Sequence, residues 1–523
     1  MKKLLSTTSI CLLVASTAYA ADIRMEGCIV QGATQLSDEA VRQLIQPHIE
    51  DAGPALGCAL AAPVLEHSLR EAGAFATKVY PMASESGKEI VLKVVEGRLA
   101  DKGIELGRSS SRVNDAVILG QLQSALQPGS TLRADKYERA ILLTNDLPGV
   151  SGSENVLYPG AQPGEAKFKS YPYDGKLVDG QIYVDNSGSS YTGKNRLGAS
   201  INVNSPFGRG ERFSLGGNVS DQASTLVFVD ASVPLNSTGL RAGMAVDALG
   251  YKTDQLSQLR GYSQKLSAYM SYPFVRSRSS NLYSEIRVGR EHLNDENNTG
   301  TVTDRFVNTF HAKLSGDRID GLGGGGTSRL SLEGIFGNVD LDGYATYKQD
   351  DLDTAQTAGN FSRLVWQASR LQHITGNWQT YVELTGQLAS KHMDSSQSMS
   401  FGGANNFAGY HSGALLGDKG YRVHWDVRYN AAWAPLGGRQ QWSLFYDYGQ
   451  LTTHAKQYVG NVVVPGVSDE SYTLQSAGVG FSQQWQSFEL RSAIGWQVNN
   501  TIPANLLDGS ATMHAWAQMV YKF

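Results

Sequence analysis

The chain holds few residues of a kind and spacing that could do chemistry. Cys28 and Cys58 are the first pair. In an exported chain, two cysteines favour a disulfide over two separate buried thiols. Closing a loop of this length would contribute about 3–4 kcal/mol by restricting the unfolded chain. A metal site is the poorer reading, because no His or further Cys sits at ligand spacing beside either residue. Gly321, Gly323 and Gly326 satisfy GxGxxG. They lie between two strand-like segments with no helix after them, which predicts a turn and not a nucleotide cradle. The chain has no GxSxG elbow, no HExxH and no Walker sequence, so neither an enzyme nor a bound cofactor is expected. One carboxylate differs from the scattered rest. In Phe445-Tyr446-Asp447-Tyr448-Gly449, alternation puts Phe445, Asp447 and Gly449 on the face opposite Trp442, Leu444, Tyr446 and Tyr448. Arg422 and Arg428 occupy the polar face of the preceding segment.

The elements that must position these groups begin with a leader. Lys2 and Lys3, the apolar stretch Ile10 to Ala15, and Ala18-Tyr19-Ala20 predict a signal peptide over residues 1–20. Cys11 falls inside its apolar part, which argues against a lipoprotein. No later run of about 18 apolar residues predicts a membrane helix. The 523 residues carry 45 Lys plus Arg against 49 Asp plus Glu, a net charge of -4. That balance excludes a general nucleic-acid binder. Charged residues make up only 18% and hydrophobic ones 41%. Low charge without high hydrophobicity suits a membrane β-barrel, in which apolar and polar positions alternate.

Residues 21–100 read as strand, two helices, two strands. Ile29 and Val30 end the first strand, and Ser37 offers an N-cap ahead of Asp38 and Glu39. Val41, Leu44 and Ile45 mark a helical face; a second helix is expected from Pro63 to about Gly73, with Cys58 just before it. Val79 to Tyr80 and Ile90 to Val95 are strand-like. The order returns over 101–174: a strand near Ile104, a helix carrying Val113, Val117 and Leu122, and a helix with Tyr137 and Ile141. Strands at Asn155 to Tyr158 and Ala166 to Tyr171 complete it. With Val94-Val95-Glu96-Gly97-Arg98 and Leu147-Pro148-Gly149-Val150, the two units resemble POTRA domains, periplasmic modules of outer-membrane assembly and secretion proteins.

From 175 to 523 the period becomes two. Leu197, Ala199, Ile201 and Val203 alternate with polar residues, as do Tyr421, Val423, Trp425, Val427 and Tyr429. The apolar face carries Tyr and Trp near strand ends, as a lipid-facing band would. About 16 such segments fit, at roughly 22 residues for each strand and connection. Short connections (Pro234 to Gly239, Thr375 to Asn377) alternate with long ones, about 341–360 and 391–420. The fold expected is therefore α+β modules followed by an all-β antiparallel transmembrane barrel. Its last strand places Met513, Ala515, Ala517, Met519, Tyr521 and Phe523 on one face, resembling the C-terminal signature by which outer-membrane barrels are recognised for assembly.

Gly402-Gly403, Phe407-Ala408-Gly409-Tyr410 and Gly417-Asp418-Lys419-Gly420-Tyr421 together resemble the sixth extracellular loop of the two-partner secretion transporters, the TpsB family. Phe445-x-Asp447-x-Gly449 resembles that family's barrel-wall motif. Asp185-Asn186-Ser187-Gly188 with Thr192-Gly193 resembles its first hairpin, and Asp426-Val427-Arg428-Tyr429 the strand after the loop. The resemblance implies a tip folded into the pore, its Arg paired with the wall Asp. Here the tip has Ala408, so the expected latch cation is Arg422 or Arg428, with Arg428 favoured unless wall acids such as Asp426 or Glu383 already hold it. The family's plug helix has no counterpart expected ahead of the first strand. The resemblance further implies an outer-membrane translocator whose POTRA pair receives a secreted partner through its N-terminal secretion domain. Other expected partners are outer-membrane lipid and lipopolysaccharide, and the barrel-assembly machinery during biogenesis; a monomer is expected. The alternative is a barrel-assembly insertase, which shares the fold and the loop.

Overall fold

The computed structural model describes residues 22–107, 111–222, 224–253, 259–433, 437–455, 471–502 and 511–523. The expected leader over 1–20 lies outside them. Two compact units result: one of residues 22–107, 123–140 and 155–170, the other of 111–122, 141–154 and 171–523.

In the first unit, β1 (Ile23–Met25), β2 (Cys28–Gln31), β3 (Thr77–Ala83) and β4 (Ile90–Glu96) form a sheet of order β1-β2-β4-β3, with β2 and β4 parallel. Helix α1 (Asp38–Ala52) starts where expected: the Ser37 hydroxyl accepts from the Ala40 N–H at 3.2 Å, with Asp38 and Glu39 at the positive end. Its buried stripe is Val41, Ile45 and Ile49; Leu44 is only partly buried. Helix α2 (Pro54–Glu71) begins nine residues before the expected Pro63. Pro54 supplies the helix start, and Pro63 is carried inside, where a proline ordinarily costs about 3 kcal/mol. Tertiary packing outweighs it. A Cβ on Gly57 would lie 2.1 Å from the His48 carbonyl oxygen, so α1 and α2 touch backbone to backbone. Cys58, Ala61, Leu65 and Leu69 of α2 are buried against Cys28, Val30, Leu92 and Val94. Cys58 thus lies within the second helix and not ahead of it, and it is bonded to Cys28.

A similar order follows: β5 (Arg98–Leu106), α3 (Asp115–Ala125), α4 (Ala134–Asn145), β6 (Val150–Pro159) and β7 (Glu165–Asp174), with sheet order β5-β7-β6. Val113, expected on the first of these helices, precedes it and is buried. Within the larger unit, residues 111–122 and 141–154 sit on short turns at one rim of the barrel. The Asn114 N–H donates to the Gly208 carbonyl at 2.8 Å, and Arg276 reaches both Asp146 oxygens at 2.7 Å.

Among the described residues, sixteen antiparallel strands close into a barrel, from Val178–Asp185 to Met513–Lys522. The predicted alternation is its inside and outside: Leu197, Leu266, Leu332 and Leu444 are exposed to the exterior, while their polar neighbours face the lumen. The GxGxxG run is a turn between the eighth and ninth strands, with Gly323, Gly324 and Gly325 at positive φ. The long connection near 341–360 carries an unexpected helix, α5 (Ala345–Asp353), whose Asp351 accepts from the Thr357 and Ala358 N–H groups.

Closure joins the first strand to the last over Gln518↔Asp185 to Lys522↔Gln181. Asn186 extends this seam. Its side-chain amide donates to the Ala515 carbonyl (2.9 Å), and its side-chain oxygen accepts from the Ala517 N–H (2.8 Å), as a further strand residue would. At the other end, Phe523 pairs by backbone with Gly180, and its ring occupies space that a Cβ on Gly180 would fill.

Removing the disulfide with Cys28→Ser and Cys58→Ser should destabilise the first α/β module by about 3 kcal/mol. Limited proteolysis of the full chain, with and without reductant, reads this as earlier cleavage within residues 22–96 while the barrel fragment persists.

Candidate functional site

The site is the connection between the eleventh barrel strand (Trp378–Ala389) and the twelfth (Lys419–Asn430), together with the wall it meets. A short hairpin, Met399–Phe401 against Leu415–Gly417, carries the tip. Gly402 and Gly403 both have positive φ, and a Cβ on Gly402 would lie 2.2 Å from the His411 carbonyl oxygen, so only glycine permits this neck. The tip closes on itself: the Gly403 N–H donates to Tyr410 O and the Tyr410 N–H to Phe407 O.

All four predicted tip residues come to the barrel's interior. Phe407 is fully buried and, unusually for a non-glycine, has φ +59°. Its surroundings hold it there: Phe401 at 4.7 Å, Tyr410 at 6.3 Å, and the bare backbone of Gly449, where a Cβ would come within 2.6 Å of the ring. Ala408 is buried; its carbonyl accepts from the Trp516 indole N–H at 2.8 Å. It presses on Gly495, where a Cβ would lie 2.4 Å from the Ala408 carbonyl carbon. Gly409 runs as closely past Trp496. Tyr410 is fully buried, its hydroxyl within reach of the Gln475 and Asn499 carbonyls at 3.2 and 3.1 Å.

Farther out, the loop is tied down by charge. The buried Asp418 carboxylate accepts from the Met393 and Ala455 N–H groups and lies 2.8 Å from His392 Nδ1. Asp394 pairs with Arg305 at 2.8 Å, and the Ser412 hydroxyl donates to Ser187 O in the first hairpin. The sequence pointed to the Gly417–Tyr421 stretch but not to Asp418 as its anchor.

Asp447 faces the lumen as expected and is almost wholly buried. Arg422 Nε donates to it at 3.1 Å, His424 Nδ1 lies at 2.8 Å, and the Ser476 hydroxyl donates to its other oxygen at 2.9 Å. Arg422 also reaches Glu383 at 3.4 Å. The favoured cation was the wrong one of the two. Arg428 is held bidentately by Asp426 at 2.7 Å, with its guanidinium over the Tyr381 ring. Register explains the difference. His424 is opposite Asp447 and Arg422 opposite Gly449, whereas Arg428 is opposite Ser443, roughly 13 Å farther along the strand. Phe445, the third wall residue, lies against His424 and over Gly478, which has no Cβ to obstruct it. His424 and Trp516 were missed. The signal for His424 was present, since it shares the lumen face with Arg422; Trp516 belongs to a strand read only for its apolar face.

A family model described as "Haemolysin secretion/activation protein ShlB/FhaC/HecB" matches residues 172–470, more than half of the chain. The chain is 28% identical over 397 residues to the heme/hemopexin transporter protein HuxB of Haemophilus influenzae strain 86-028NP, covering 74% of this chain and 67% of that one. In fold it is similar to CdiB from Escherichia coli (TM-score 0.77, 16% identity, covering 98% of this chain and 93% of that one). CdiB from Acinetobacter baumannii follows at 0.67 and 13%, covering 97% and 91%. A BamA from Haemophilus ducreyi lacking POTRA domains 1–3 shares the fold less closely, at 0.52 and 12%, covering 96% and 100%. Sixteen closed strands, an inward loop and this match lead to one conclusion: the chain belongs to the haemolysin secretion/activation protein family, outer-membrane transporters of two-partner secretion.

Proposed function

We propose that the two α/β modules, residues 21–100 and 101–174, receive the N-terminal secretion domain of an exported partner, and that the barrel of residues 175–523 passes the partner outward. The family exports partner proteins across the outer membrane. The observation that carries this mechanism is the seated loop tip: the barrel contains an occupant whose hold is aromatic packing and backbone hydrogen bonds, both reversible. Edge strands β3 and β6 and the helix–strand grooves offer an extended partner β-augmentation or amphipathic docking. Folding of the partner outside would give direction, since a folded domain holds about 5–15 kcal/mol against return. The remaining reading is that the protein acts as a monomer, bathed in outer-membrane lipid and lipopolysaccharide, and is inserted by the barrel-assembly machinery through its last strand, ending at Phe523. Insertase activity is the weaker alternative, because the BamA likeness is one of fold alone.

Deleting residues 21–174 should leave a heat-modifiable, inserted barrel that exports no partner; normal export by that barrel, read in the culture medium, would contradict the division of labour. Gly495→Val should unseat the tip by about 1–3 kcal/mol of overpacking, a factor of ten in closed-to-open ratio for each 1.4 kcal/mol. Planar-bilayer recordings read this as shortened closed times. Ala408→Arg alone should shift closure in the same direction, because Arg422, His424 and Ser476 already hold Asp447. Combined with Arg422→Gln, which removes the arginine from Asp447 and leaves His424 and Ser476 in place, it should regain closed time, whereas Arg428→Gln should change nothing.

A further inference from the structure

The lumen wall carries a second apolar patch, away from the seat of the tip. It lies on the eighth (Gly300–Asp320), ninth (Gly326–Asp340) and tenth (Gly359–Thr375) barrel strands. There Val307, Ile335, Val339 and Phe361 take the opposite parity to the exterior residues Phe310, Leu332, Phe336 and Leu364, so they face inward. Val307 stands directly opposite Val339, and the Phe361 ring fills the space that a Cβ on Gly337 would need. A barrel lumen is ordinarily polar. This patch is buried because two connections cover it. Leu341 comes from the connection that carries α5, and Met393 from the arm of the seated loop, residues 391–398. Tyr347 and Ala358 pack at the edge of the same cluster. The cover is fastened closely: a Cβ on Gly343 would lie 2.7 Å from the Asp304 carbonyl oxygen, and the Lys391 ammonium of the arm donates to the Ala358 carbonyl.

An ion pair locks the cover to the wall. Arg305 and Asp394 are both almost wholly buried, with Nε 2.8 Å from the carboxylate. Arg305 Nη1 also reaches Asp295 on the seventh strand at 3.2 Å and donates to the Thr303 hydroxyl at 2.7 Å. One cation thus holds a wall acid and a loop acid, and losing it would strand charge in a desolvated place. The tip is seated elsewhere, on Leu451 and Leu474 of the thirteenth and fourteenth strands; among the described residues the two apolar clusters share no member. Between them the loop is pinned. The Gln397 carbonyl accepts from Arg363 at 2.9 Å and from Gln387 at 3.1 Å, and Gln387 also donates to the Asp418 carbonyl at 2.9 Å, gripping both limbs. Movement of the tip beyond this pin need not reach Met393. We propose that residues 341–358, with Met393 and Asp394, form a second closure of the pore, a lid that opens independently of the tip and has Arg305 as its latch. The lid rests on the reading of the barrel as the export conduit, and it would narrow the exit on the eighth to tenth strands after the tip has left its seat.

The test uses the full-length protein in outer-membrane vesicles, with single cysteines modified by a hydrophilic maleimide. Met393→Cys should react about tenfold more slowly than Leu352→Cys, an exposed position on α5. Arg305→Gln should remove that protection. Asp394→Asn should remove it too while keeping an oxygen for the Ser396 N–H, which keeps the test usable if Arg305→Gln folds poorly. Gly495→Val should expose Ala408→Cys and leave Met393→Cys protected, whereas Arg305→Gln should leave Ala408→Cys protected. Equal rates at Met393→Cys and Leu352→Cys would overturn the lid. Protection of Met393→Cys that survives both Arg305→Gln and Asp394→Asn would overturn the latch, and its loss in Gly495→Val would overturn the independence of the two closures. Modification requires no exported partner, so these results stand apart from the transporter reading, whose own test is partner export.

Discussion

A loop can be seated inside a sixteen-strand barrel only where the wall gives up side-chain volume, and that constraint organises the lumen of this protein. Gly449 and Gly495 present bare backbone to Phe407 and Ala408, and Gly478 clears the path of Phe445. Interiors pack to near-crystalline density, so a missing Cβ at these positions is a shaped seat and not a void. Two consequences follow. The tip can approach closely enough for its carbonyl and hydroxyl groups to bond with Trp516 and with the strand carbonyls. The positive φ of Phe407 is then sustained by its surroundings.

The wall charges would ordinarily be the stronger hold, but here they are occupied among themselves. Glu383, Arg422, Asp447, His424, Asp426 and Arg428 form a continuous chain of contacts on the lumen face. A buried carboxylate left without a partner is expensive, and Arg422, His424 and Ser476 meet that requirement for Asp447 without the loop. The tip can therefore carry Ala408 without stranding a charge. Its hold becomes one of packing, and the ionic anchoring moves outward to Asp418 and Asp394, where the loop leaves the wall.

Much of this was legible because alternation assigns faces without any tertiary knowledge. Asp447, Phe445 and Gly449 were placed on the lumen side by period alone, and Cys28 with Cys58 by count and compartment. What stayed hidden depends on register or on tertiary override. Arg422 and Arg428 share a face, and only the offset between two strands decides which of them meets Asp447. Pro63 reads as a helix start until the close crossing at Gly57 shows why α2 continues through it. Asn186 was noticed as part of a hairpin motif, yet its work is to continue the seam with its side chain, which no periodicity expresses.

The central claim is that the tip rests inside the barrel, held by packing at the bare-backbone wall. The most direct measurement is the reactivity of a single cysteine there. Cys28 and Cys58 are bridged, so among the described residues Ala408→Cys would be the one free thiol. Ala408 is buried, whereas Leu416 in the same loop is 48% exposed. In outer-membrane vesicles, a hydrophilic maleimide should therefore modify Ala408→Cys far more slowly than Leu416→Cys, and adding Gly495→Val should abolish the difference. Equal rates at the two positions in the otherwise native protein would mean that the tip does not rest in the pore.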